Sequence, residues 1–308
     1  MITPDDVHAA REAIAGRLHR TPVFSSETLG RGVSLKAELF QKTGSFKPRG
    51  VLTKLAALTA AERERGVIAI SAGNHAQAVA WAAAREGLDA LVVMWRGASE
   101  AKLAATRGYG AAVDVEADSP AEAFDRLDLL LEETGRTLVH PWEDPLTIAG
   151  QGTVGLEILE QVPDGDTIVV PVGGGGLIAG IATVAAGRAR VVGVEPELSS
   201  AMYSALAAGE RVEVAPTSIA DGLNTPHVGR PALEIVRERV EAVVLVSEEE
   251  IEDAFRFLYE RAKLACEPAG AVAVAALRAG KVTGERVVGV VSGGNVAAQT
   301  ASAILARR

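Results

Sequence analysis

Three observations place this chain in the α/β class. Short apolar runs alternate with stretches of helical character along most of the sequence. The runs are apolar throughout, not at every second position, as befits strands covered on both faces. Glycines gather where the runs end. Strand, helix, strand, repeated in this way, predicts open parallel sheets with helices packed against them.

The elements follow in order. Residues 1–18 (MITPDDVHAAREAIAGRL) predict a first helix, with Thr3 or Asp5 at its cap. Leu35–Leu39 runs into the loop Thr43–Gly50, and Pro48 suits the first position of a helix, where its missing N–H would be unpaired anyway. Val67–Ser71, Ala90–Met94, Thr167–Val172, Val191–Val194 and Arg286–Val291 predict buried strands. His75–Glu86, Glu100–Arg107, Ser119–Thr134 and Leu177–Ala186 predict helices between them. The strand–helix units form two groups, a small domain over 65–140 and a large one over 1–64 and 141–308. A cleft between two such lobes is a natural ligand site. No linker, low-complexity segment or fixed-period repeat interrupts the pattern.

Composition excludes several functions. The 308 residues are 48% hydrophobic, ample for a core and unlike a disordered chain. The net charge is −9 with no Lys/Arg stripe, which argues against nucleic acid and anionic membranes as partners. No 18-residue apolar run offers a membrane span, and the first residues lack the pattern of a signal peptide. Cys266 is the only cysteine, so no disulfide forms within the chain. A cytoplasmic location is the expectation.

Four segments carry chemistry. Thr43–Gly50 (TGSFKPRG) puts Lys47 at a helix N-terminus, where the helix dipole disfavours a positive charge. A lysine that must be neutral for part of its working cycle suits such a place, although most lysines are simply solvated. Ser71–Gln77 (SAGNHAQ) ends a strand and opens a helix; its small residues free backbone N–H groups for an anion, while Asn74 is either a helix cap or a donor to a ligand. Gly173, Gly174, Gly175 and Gly176 stand between a strand and a helix, where the main chain can wrap a phosphate. Gly174–Ala179 also fits G-x-G-x-x-A, with Glu195 about 20 residues on, the local pattern of a dinucleotide site and an NAD-dependent oxidoreductase. Ser292–Asn295 (SGGN) follows the last strand and can turn Ser292 into the cleft.

In this order, SFKPRG, SAGNHAQ, PVGGGGLIAG and SGGN resemble the pyridoxal-phosphate (PLP) enzymes of the tryptophan-synthase β-subunit fold, fold type II. Among these the chain is most similar to threonine/serine dehydratases and serine racemase. HPWEDPLTIAGQGTVGLEIL (140–159), VEPE (194–197), IADGL (219–223) and CEPAGA (266–271) extend the resemblance over nearly the whole chain.

The resemblance implies a role for each matching residue. Lys47 is the Schiff-base lysine and catalytic base. Phe46 packs on the cofactor ring, Gly222 closes its other side, and Asn74 bonds its phenolic oxygen. Gly173–Gly176 hold the phosphate, and Ser292 faces the pyridine nitrogen. Ser71, Ala72, Gly73, Asn74 and His75 line the loop that grips the substrate carboxylate. A neutral hydroxyl at Ser292 withdraws electrons less than an ionised partner, which favours loss of a β-leaving group over transamination. The implied reaction is loss of water from a small hydroxyamino acid, with hydroxyaspartate dehydratase or serine racemase as alternatives within the family. Ala72 stands where serine racemase resembles a Ser, and a methyl group cannot donate a proton. The chain runs only to Arg308 after SGGN, so no C-terminal regulatory domain is expected. Two positions depart from the pattern. Ala201 replaces an acidic partner of Glu195, so no metal site is expected, and Trp95 follows Met94 where relatives have Pro. A homodimer is implied.

Overall fold

The computed structural model describes residues 1–307. In chain order the elements are α1 (Pro4–Ala13), β1 (Val23–Ser25), β2 (Val33–Ala37), α2 (Pro48–Ala56), α3 (Ala60–Arg65), β3 (Val67–Ile70), α4 (Asn74–Glu86), β4 (Ala90–Trp95), α5 (Glu100–Gly108), β5 (Ala112–Ala117), α6 (Pro120–Thr134) and β6 (Thr137–Leu138). There follow α7 (Pro145–Gln161), β7 (Thr167–Pro171), α8 (Gly176–Ala185), β8 (Arg190–Pro196), α9 (Ala201–Ala208), α10 (Arg230–Arg239), β9 (Ala242–Val246), α11 (Glu248–Phe257), α12 (Pro268–Arg278), β10 (Val287–Val291) and α13 (Ala298–Ala306).

The strands form two sheets, ordered β1-β2-β10-β7-β8-β9 and β5-β4-β3-β6. All pairings are parallel except β1 with β2. Every residue of β3, β7 and β10 is buried, the reason their sequences are apolar at nearly every position. One core lies between the six-stranded sheet and α1, α7, α8 and α10; a second, on the opposite face, is filled from α11, α12 and α13. The four-stranded sheet is likewise covered by α2 and α4 on one side and by α6 on the other.

The strands found only in the structure are β1, β2, β5, β6 and β9. β1 and β6 have three and two residues, too short for any periodic signal. β5 is an edge strand whose exposure admits Asp114 and Glu116 and dilutes the apolar pattern, whereas β9, also at an edge, is apolar throughout. The first helix ends at Ala13, short of Leu18, because Gly16 takes a left-handed φ of 70°. Thr3 caps it, with Asp6 completing a capping box. Trp95 ends β4 at a register shift and packs half-buried on the α6 side of the small sheet.

Helix α7 joins the layers through glycine contacts. A Cβ on Gly150 would lie 2.6 Å from the Cα of Gly50, so α7 meets α2 backbone to backbone. On its other side a Cβ on Gly180 would come within 2.5 Å of the Gly152 N and the Ile148 O. We expect Gly180→Ala to cost about 1–3 kcal/mol or more through overpacking. Gly108→Ala, whose Cβ would meet nothing within 4 Å, should cost nothing. Thermal denaturation of the two variants checks this; equal melting temperatures would show that the α7–α8 contact relaxes freely.

Candidate active site

The site begins at the turn that carries Lys47. Pro48 opens α2, and Lys47 precedes it in helical conformation (φ −54°, ψ −37°). The strand-like segment before it is stitched to the turn after β10. Phe46 N donates to Ser292 O at 3.2 Å, Gly294 N to Gly44 O at 2.9 Å, and Ser45 bridges Gly293. Asn295 Nδ2 adds a bond of 2.7 Å to Thr43 O. Lys47 Nζ donates to Pro141 O at 3.2 Å and lies 5.1 Å from the centre of the Phe46 ring. Burial lowers the lysine to about 8, against a Glu267 carboxylate that pulls it upward. The lysine is lowered as expected from its place at the helix start, but the cause is desolvation by burial.

Two residues on, Arg49 turns the opposite way, into the interior. Its guanidinium bonds both oxygens of Glu38 at 2.8 Å and both of Glu157 at 2.7 and 3.0 Å. Lys36 Nζ reaches the same Glu157 at 2.5 Å, and Gln161 and the Thr21 carbonyl at 2.8 Å. The start of α2 is thereby fixed to β2 and α7.

The Ser71–His75 turn runs from β3 to α4. Gly73 is its N-cap, so Asn74 is the first helical residue and its carboxamide is not spent on capping. Asn74 Nδ2 donates to Glu267 Oε1 at 2.6 Å, and Asn74 Oδ1 accepts from Asn295 Nδ2 at 2.8 Å. Gly73 N donates to Ser71 Oγ at 3.1 Å, and Ala72 packs on the small-sheet core. The His75 side chain points away from the loop. Its ring is buried, with Nε2 2.7 Å from Val139 O, and burial holds it near 3 and neutral. What His75 offers the loop is its backbone N–H.

The glycine loop joins β7 to α8, with Gly175 at φ 91°. Its lack of side chains is required by packing. A Cβ on Gly174 would meet the Trp142 indole at 2.3 Å, and one on Gly175 would meet Ala232 and Met202 at 2.8 Å. None of the N–H groups from Gly173 to Leu177 donates a hydrogen bond among the described residues, which leaves a row of donors at a helix N-terminus. Gly222, in the turn Asp221–Leu223, lies beside this loop: a Cβ on Gly173 would be 3.1 Å from Leu223 Cα, and one on Gly222 would be 3.7 Å from Glu267 Oε1.

Contacts thus run from Lys47 through Pro141 and Trp142 to the glycine loop, and from Ser292 through Gly293 and Glu267 to Asn74 and Gly222. Glu267 and Trp142 were not singled out from the sequence, although both lie in segments that carried the resemblance. Charge or ring type alone gives no sign that tertiary contacts will turn them inward. The dinucleotide alternative is overturned at Glu195: its carboxyl group is fully buried, away from any ribose, and its two oxygens accept from Met202 N and Tyr203 N at 2.8 and 2.7 Å, capping α9.

This donor set fits pyridoxal phosphate. Unpaired amides flanked by glycines suit its phosphate, a desolvated lysine suits its aldehyde, and the Phe46 ring beside that lysine suits its aromatic plane. Comparisons with known proteins agree. Residues 14–293 match the family described as pyridoxal-phosphate dependent enzyme. L-threonine ammonia-lyase of Thermotoga maritima is 46% identical over 306 residues, 96% of this chain and 76% of that protein. The structure of maize serine racemase superposes with a TM-score of 0.92 at 37% identity, covering 97% of this chain and 95% of that one. A threonine deaminase from T.th. does so with 0.90 at 42%, covering 96% and 99%. Sequence, fold and site agree, and the chain belongs to the pyridoxal-phosphate-dependent enzymes.

Proposed function

We propose that the protein is a threonine/serine dehydratase, an ammonia-lyase that converts L-threonine or L-serine to 2-oxobutanoate or pyruvate plus ammonia. The observation that carries this reading is the desolvated Lys47 at the meeting point of the Ser71–His75, Gly173–Gly176 and Ser292–Asn295 turns. The dehydratase names of its relatives support it. Bound there, pyridoxal phosphate supplies an electrophilic aldehyde and a ring that stabilises negative charge at the substrate Cα.

The chain's own residues do the rest. Gly173–Gly176 would present backbone donors to the phosphate, and Phe46 and Gly222 would pack against the ring. Asn74 would give an N–H to the phenolic oxygen, and Ser292 would offer a hydroxyl to the ring nitrogen. The backbone of Ser71–His75 receives the substrate carboxylate. Lys47 Nζ takes the Cα proton once it is free and neutral. Residues 65–140 act as a small domain and 1–64 with 141–308 as a large one, in a cytoplasmic homodimer.

A second reading, serine racemase, has the maize structure in its favour. Racemisation needs a proton donor on the face opposite Lys47, and the Ala72 methyl group cannot serve. Hydroxyaspartate is disfavoured as substrate because Arg49, the arginine beside Lys47 in the chain, turns into the interior and is held by Glu38 and Glu157 rather than offered to a second carboxylate.

The holoenzyme should show a visible absorption band that shifts on adding L-threonine or L-serine, with release of 2-oxo acid. Lys47→Ala should abolish the band and lower turnover by about 10²–10⁴-fold or more. A protein that gains no band with pyridoxal phosphate would sink the reading. Turnover should rise with pH through about 8, because the neutral amine is the working form above the lysine's lowered value; a profile flat from about pH 6.5 to 9.5 would exclude Lys47 as the limiting base. Chiral analysis of serine should reveal no D-serine from the wild type. Appearance of D-serine at a rate comparable with pyruvate would favour the racemase.

A further inference from the structure

Glu267 has a position that the reaction as read above does not use. It is the residue before Pro268, at the start of α12, where a carboxylate would ordinarily cap the helix. It makes no such cap. Its side chain is 4% exposed and reaches across to the other sheet's turn, where Oε1 accepts from Asn74 Nδ2 at 2.6 Å. Space for that reach is kept by a glycine: a Cβ on Gly293 would stand 2.3 Å from Glu267 Oε1 and 3.1 Å from Asn74 Nδ2.

The opposite end of the Asn74 carboxamide is held too. Asn295 Nδ2 donates both to Asn74 Oδ1 at 2.8 Å and to Thr43 O at 2.7 Å. A second glycine makes room here, since a Cβ on Gly44 would meet Asn295 Oδ1 at 2.5 Å. The Thr43 carbonyl can only accept, so Asn295 must present its nitrogen, Asn74 its oxygen to Asn295, and Asn74 its nitrogen to Glu267. The amide orientation is fixed by an unbroken chain of donors and acceptors, and one N–H of Asn74 is left over.

We propose that Glu267 is a positioning residue: by accepting one Asn74 N–H, with Asn295 locking the other end, it holds the second N–H ready to donate to the phenolic oxygen of the cofactor ring. This rests on the reading of Asn74 given above. The carboxyl is also the one charged group that pulls the Lys47 proton affinity upward, and burial together with nearby Asp221 moves Glu267 itself up to about 8, against Lys102 and the Asn74 bond. Both facts place it inside the same polar network.

The test uses the pyridoxal-phosphate-loaded protein, with the visible spectrum and the cofactor affinity as readouts. Both respond to the bond at the ring oxygen, whereas a purely structural role would move only the melting temperature. Glu267→Ala should shift the band in the same direction as Asn74→Ala and weaken cofactor binding by up to about tenfold, the effect of one lost hydrogen bond. Glu267→Gln, which keeps an oxygen acceptor, should retain the wild-type band. In the Asn74→Ala background, Glu267→Ala should add nothing further. Glu267→Asp keeps the carboxyl group but shortens the reach, and it should shift the band even where the alanine variant fails to fold. A wild-type band in Glu267→Ala or Glu267→Asp, or additive losses in the double variant, overturns the proposal while leaving the cofactor site standing. A wild-type protein that forms no band overturns the cofactor reading, and this proposal with it.

Discussion

A fully buried guanidinium governs the architecture around the site. Arg49 brings its charge into the interior two residues after Lys47, and such a charge is tolerable only if it is paired and its donors are met. Glu38 and Glu157 meet them, and Lys36 in turn balances Glu157. Removing one partner from such a cluster costs about 3–5 kcal/mol, because an uncompensated charge is left behind. Three separate segments of chain therefore come together in one arrangement. The first turn of α2 is part of that arrangement, and Lys47 with it. The lysine faces the cleft because the arginine faces the core.

Glycines solve the complementary problem of close approach. α7 touches α2 through Gly150 and Gly50 and touches α8 through Gly152 and Gly180, so the helix behind the cleft lies nearer its neighbours than any side chain would permit. At the site the same device appears with a different purpose. Gly174 accommodates the Trp142 ring, Gly293 the Glu267 carboxyl and Gly44 the Asn295 carboxamide. Glycines next to a phosphate-binding loop are usually explained by the ligand. Here several are required by neighbouring side chains that shape the pocket before anything binds.

The polar groups of the site come from both sheets. Asn74 stands at the end of a strand of the smaller sheet; Glu267 and Asn295 belong to the larger. Their hydrogen bonds cross the cleft, so the position of Asn74 reports how the lobes are seated on one another. A buried network of this kind holds a single geometry only when every member is satisfied. At position 74 the oxygen and one N–H are met by Asn295 and Glu267, and the second N–H remains for a ligand to meet.

Much of this was legible in the sequence. Continuous apolar runs at Val67–Ile70, Thr167–Pro171 and Val287–Val291 marked the buried parallel strands, because burial on both faces removes polar residues from nearly every position. Pro48 and the four glycines from Gly173 marked the two turns correctly, since local backbone geometry limits which residues can stand there. The strands β1 and β6 left no trace, being too short for any period to show. Lys47 was visible as a lysine in an unusual place, but the cause of its lowered proton affinity was not. Desolvation depends on what packs around the amine, and those groups are distant in sequence. For the same reason only the tertiary structure turned the His75 ring away from the loop, spent Glu195 on capping α9 and brought Glu267 to Asn74 across 193 residues of chain. Sequence specifies the elements and the turns between them because those rest on neighbouring residues. Which side chain meets which across the cleft is decided by packing two sheets together.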